Sequence, residues 1–134
     1  MQVRYPFALA AAALIVATLP GYAHHSFDAE YDRTKTITVT GKVDRLEWTN
    51  PHARIYVEGK DETGKTQLWD FELGPPNGLM RRGWNRNSLK HGHAVTVTGF
   101  RSKTSDHICN ARTVTLADGR QVFAGSSFDT GPGQ

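Results

Sequence analysis

From Tyr31 onward, apolar and polar residues alternate with period two, Thr and Val are abundant, and one central stretch breaks the pattern. Such alternation puts successive side chains on opposite faces of a strand, so the chain reads as β structure with one buried face. Ile37, Val39 and Val43 share a face. The phase then shifts to Leu46 and Trp48, which predicts a bulge or bend beyond Gly41 in a long first strand. In a second strand Ala53, Ile55 and Val57 alternate with His52, Arg54, Tyr56 and Glu58. The turn Asp61-Glu62-Thr63-Gly64 leads into a third, with Trp69, Phe71 and Leu73 on one face.

The break is Gly74-Pro75-Pro76-Asn77-Gly78-Leu79-Met80-Arg81-Arg82-Gly83-Trp84, where a proline can start a short helix and a glycine can end it. Strand pattern resumes at Ala94, where Val95, Val97 and Gly99 alternate with Thr96, Thr98 and Phe100. A last run from Ala111 to Leu116 reaches the Asp118-Gly119 turn before Val122 and Phe123. Three strands, a short helix and two strands is the order of the OB-fold, so the expected class is all-β with one short helix, an OB-fold-like five-stranded barrel. Its expected core includes Ile37, Val39, Val43, Ile55, Val57, Phe71, Val95, Val97, Val114 and Leu116. Thr-Val-Thr-Gly occurs at both 38–41 and 96–99, which reads as two similarly bent strands and not as a tandem repeat, because the flanking residues differ.

The start of the chain is of another kind. Arg4 precedes an apolar run from Phe7 to Leu19, Pro20 breaks it, and Gly21-Tyr22-Ala23 places small residues where an export signal is cut. The run is shorter than an ordinary membrane span. The expected organisation is a cleavable signal peptide over 1–23, an amino-terminal leader over 24–34, the barrel over 35–124 and a loose small-residue tail over 125–134. The product would be periplasmic or secreted, with no membrane span after cleavage.

Cleavage leaves 111 residues, enough for one core, and lowers the formal charge from +3 to +2. That balance lacks the dense basic stripe of a dedicated nucleic-acid binder, so no nucleic-acid partner is expected. Cys109 is the single cysteine, which excludes an internal disulfide, and no cysteine follows the signal to carry a lipid.

The chain resembles a family of small exported bacterial proteins, classed as a domain of unknown function, whose mature chains begin His-His-Ser-Phe. The matching residues are His24-His25-Ser26-Phe27, Trp48-Thr49-Asn50-Pro51-His52, Phe71-Glu72-Leu73-Gly74, Arg81-Arg82-Gly83-Trp84, Asn110-Ala111-Arg112, Leu116-Ala117-Asp118-Gly119-Arg120 and Phe123-Ala124-Gly125-Ser126. The resemblance implies export and a compact β-barrel, and brings no reaction or substrate. Pro75 and Gly78 depart from the family pattern, where a polar cap and a helix former are usual, so a weak connecting helix is expected. His91, His93, His107 and Cys109 are also peculiar to this chain.

The sharpest chemistry is at the expected new terminus. A free α-amine and the imidazole of the same residue, His24, can chelate one copper ion, and a histidine brought in by the fold would complete the set. His52, beside the Asn50-Pro51 turn, is the first candidate and His25 the second. The bland alternative is a polar leader with His52 as a surface side chain. His107 and Cys109, two apart, would share a face if extended, but a buried thiol beside a solvent-facing histidine explains them as well. His91 and His93 flank Gly92 in an expected turn.

Arg81, Arg82, Arg86 and Lys90 concentrate charge around Trp84, a candidate surface for an anionic ligand or an envelope protein. The competing reading is a solvated rim with Trp84 packed as a plug. Asp44, Glu47, Asp70 and Glu72 supply carboxylates, but no spacing specifies a nucleophile with its base or a phosphate loop. The expected function is therefore an exported non-catalytic binding or accessory module with copper as its candidate cofactor. The alternative is a metal-independent envelope-interaction module.

Overall fold

A computed structural model describes residues 27–125. The strands are β1 (Tyr31–Glu47), β2 (Arg54–Asp61), β3 (Thr66–Glu72), β4 (Ala94–Ser102), β5 (Ile108–Leu116) and β6 (Gln121–Phe123); a five-residue helix, α1 (Pro76–Met80), lies between β3 and β4, and residues 27–30, just before β1, are also helical. β1 pairs with β2 and β4, β2 with β3, and β4 with β5, all antiparallel. A parallel pairing of β3 with β5, from Asp70↔Ile108 to Glu72↔Asn110, closes the ring. This is the expected OB-like barrel.

A sixth strand extends that expectation. β3 covers β5 only as far as Asn110, and β6 pairs with Thr113–Thr115 on the stretch that β3 leaves open. Ala124 then bridges the seam, donating to the Arg112 carbonyl and accepting from Gly74 N–H.

The first strand bends where its phase shifts. Its pairing with β2 skips a residue between Val43 and Arg45, so both Val43 and Leu46 face the core. The two Thr-Val-Thr-Gly stretches lie side by side, with Val39 opposite Val97. Each ends in a glycine that the barrel needs: a side chain at Gly41 would collide with the Glu58 carbonyl, and one at Gly99 with the Asn110 carbonyl.

Of the ten expected core residues, nine are buried and Leu116 is partly buried against them. Trp69 and Phe71 are the largest side chains with no exposed surface. α1 has no side-chain cap and spans only five residues, as its Pro75 and Gly78 foretell. Its place is set by burial of Leu79, whose carbonyl also accepts from the N–H groups of Arg82 and Trp84. Trp84 is 4% exposed, the plug of the competing reading.

A second apolar cluster lies outside the barrel. Phe100, placed by alternation on the outer face of β4, is buried because Phe27 and Tyr31 cover it, with ring centroids 6.1 Å apart for Phe27–Phe100 and 5.3 Å for Phe27–Tyr31. The part of the 24–34 segment that is described is thus packed from Phe27 onward, and β1 begins within it, at Tyr31, where the alternation starts. The reason is long-range: Phe27 and Tyr31 find their apolar partner on β4, about seventy residues away. The expected signal peptide, its cleavage point and the tail beyond Gly125 lie outside the described residues.

Candidate functional site

Alternation that turns Ile55 and Phe71 inward turns Arg54, Asp70 and Glu72 outward, and register sets Arg54 directly opposite Glu72. His52 precedes Arg54 by two residues, in the loop that holds the cis Asn50–Pro51 bond. Its Nδ1 lies 3.0 Å from Glu72 Oε1. The Tyr31 hydroxyl donates to Glu72 Oε2 at 3.1 Å, and Arg54 Nη1 stands 3.5 Å from the same oxygen. Arg54 Nε donates to Asp70 Oδ1 at 2.7 Å. One carboxylate at the end of β3 thus gathers a loop histidine, an arginine from β2 and a tyrosine from the start of β1.

The electrostatics follow from partial burial. Burial alone would raise the Glu72 pKa, but the hydrogen bond and charge of His52, the Tyr31 hydroxyl and Arg54 together hold it below the ordinary carboxylate range. Glu72 stays ionised. Burial and then the neighbouring Glu72 charge push Tyr31 well above the ordinary phenol value, so it remains a donor. An ionised carboxylate only accepts, so Nδ1 of His52 carries the proton of this bond. In the neutral imidazole the lone pair then resides on Nε2. Asn110, in register with both Glu72 and Phe100, is buried with its Oδ1 unpaired.

The remaining candidates separate. Cys109 faces the core, and burial raises its thiol to about 12, which leaves it protonated. His107 is exposed in the bend before β5, against Ser105 and Asp106, so the two do not converge. His91 Nδ1 meets the Asp44 carbonyl at 3.0 Å, and His93 Nδ1 accepts from Lys90 N–H, both around the Gly92 turn that caps the bulge of β1. Asp44 and Glu47 hold Arg45, whose guanidinium stacks 3.5 Å above Tyr56. Arg81, Arg82, Arg86 and Lys90 are all exposed, and Arg82 Nη1 also donates to the Gly125 carbonyl at 2.7 Å. Among the described residues no group of three or more His, Cys, Asp or Glu is placed to hold a metal. His24 and His25 lie outside those residues, so His52 is the described part of the expected set.

Residues 11–110 match the profile of DUF6152, a family of unknown function. The chain belongs to this family. The match takes in His24, His25, Tyr31, His52, Arg54 and Glu72, and stops within β5, so the seam strand β6 lies beyond it. Comparisons of this DUF6152 member with curated proteins and with solved structures found no match. No helix among its described residues is long and apolar enough to cross a membrane.

Sequence reasoning missed Tyr31 and Arg54 as partners and took Glu72 only as one carboxylate among several. Outward parity of His52, Arg54, Asp70 and Glu72 was available from alternation. The pairing of Tyr31 with Glu72, 41 residues away, has no local signal.

Proposed function

We propose that this DUF6152 member is an exported, non-catalytic binding or accessory module that holds one copper ion. The donors are the amine and imidazole of His24, made terminal by cleavage after Ala23, and the imidazole of His52, with His25 as the substitute third ligand. The observation that carries the reading is the Glu72 carboxylate on Nδ1 of His52. Metal-binding histidines characteristically donate their second ring nitrogen to a carboxylate, which fixes the ring and makes the other nitrogen more basic. Imidazole and amine nitrogen suit copper, and two donors tethered on one residue lose little further freedom on binding.

The packing around Phe27 supports the same arrangement. Phe27 rests on Tyr31 and Phe100, and the Tyr31 hydroxyl reaches the carboxylate that holds His52.

Copper titration of three forms tests this: the processed chain, a chain keeping a methionine before His24, and His24→Ala. The processed chain should bind one Cu(II) most tightly, and affinity should fall on acidification as amine and imidazole take up protons. Equal affinity in all three would remove the terminal site and favour the metal-independent interaction module. Intact-mass analysis of exported protein should show a chain starting at His24. Full-length chain in washed membranes would contradict cleavage.

A further inference from the structure

The connection between β3 and β4 (74–94) and the β5–β6 turn region (116–125) hold five of the chain's 16 Lys and Arg but one of its 13 Asp and Glu, leaving 11 cations against 12 anions elsewhere. The positive excess of the molecule is therefore local. These same two segments frame a groove of about 180 Å³. Its apolar wall is Trp84, Leu89, Leu116 and Val122, and its polar groups are Ser88 and Arg120. A second groove of about 300 Å³ shares Ser88, Leu116 and Arg120 with it.

The two polar groups are set up as donors. Asp118 Oδ2 holds Arg120 Nε at 2.7 Å, and among the described residues the terminal nitrogens Nη1 and Nη2 have no hydrogen-bond partner. Ser88 Oγ accepts from Asn85 N–H at 2.8 Å, which leaves its own proton to donate. We propose that this groove binds a small organic anion, a carboxylate on an apolar body of about one ring. The carboxylate would take the Arg120 fork and the Ser88 hydroxyl, and the ring would lie against the partly exposed Leu116 and Val122 above the buried Trp84.

Size and lining select this class. A cavity of about 150 Å³ accommodates benzene, so the groove of about 180 Å³ suits one ring. Inorganic phosphate would leave the apolar wall unused. A bilayer surface would engage the outward Arg81, Arg86 and Lys90 with the exposed Met80, not the recessed Ser88.

The test is a set of ¹⁵N–¹H correlation titrations of the processed full chain, with a chelator present so that metal plays no part. The probes are benzoate, benzyl alcohol and vesicles of phosphatidylglycerol. Benzoate should shift the amides of Gly83, Ser88, Leu116 and Arg120 and saturate, with benzyl alcohol at least about tenfold weaker. Arg120→Gln and Ser88→Ala should each weaken benzoate, the former by about tenfold, while the β1 and β2 amides keep their positions as proof of fold. Equal binding of benzoate and benzyl alcohol, unsaturating shifts, or a response to vesicles alone would overturn the proposal.

Discussion

On the β2–β3 hairpin, Ile55, Val57, Trp69 and Phe71 point into the barrel and are fully buried, whereas Arg54, Asp70 and Glu72 on the other face are partly exposed and tied by charge. Both faces come from one alternation. The inner face is held by apolar area, a non-directional force to which any well-fitting side chain contributes. The outer face is held by directed bonds, in which one oxygen of Glu72 faces His52 and the other faces Tyr31 and Arg54. An inward residue is thus replaceable by shape. An outward one is replaceable only by chemistry.

The harshest way to break this contrast is Val97→Asp. Val97 has no exposed surface, so an unpaired carboxylate there should cost more than about 4 kcal/mol and abolish cooperative thermal unfolding. An unchanged melting temperature would mean that the inward phase of β4 is reversed.

Glu72→Gln preserves shape and removes charge, which is the outer-face counterpart. It leaves His52, Tyr31 and Arg54 facing a neutral amide and should cost about 1–3 kcal/mol by denaturant titration. No loss would show that the outer face obeys the same shape rule as the core.

Acid probes the same point more gently. The Asp61 carboxyl is lowered to about 2, first by the Thr63 hydroxyl, with burial opposing, then by Arg101 and backbone donors, and Glu72 is lowered as well. Groups depressed in the folded state contribute fully above their unfolded value, about 4, and lose that contribution as pH falls toward the folded value. Melting temperature should be flat above about pH 5 and drop toward pH 2, and Asp61→Asn should flatten part of that drop. The smallest effect expected is from Arg45→Ala, whose stacking and ion pairs are solvent-exposed, so the melting temperature should barely move.

The contrast also explains what could be read from the chain alone. Period two exposes the inward set directly, which is why Val39, Ile55, Phe71 and Val97 were legible, and why the shift from Val43 to Leu46 marked the bulge. β6 was too short to register as a strand, since its place depends on where β3 leaves β5. Phe100 looked exposed because its cover comes from Phe27 and Tyr31. His52 was legible as a candidate from the Asn50-Pro51 turn, but its orienting carboxylate was not, because Glu72 is brought to it by strand register.

The central claim, a copper ion held by His24 and by His52 in the orientation that Glu72 sets, is tested most directly by nitrogen hyperfine coupling in the electron paramagnetic resonance spectrum of the Cu(II)-loaded processed chain. The native protein should show amine and two imidazole nitrogens, His25→Ala should leave the spectrum unchanged, and adding His52→Ala to His25→Ala, which removes the substitute ligand as well, should lose one imidazole. A spectrum that the double variant His25→Ala/His52→Ala leaves untouched would contradict the claim.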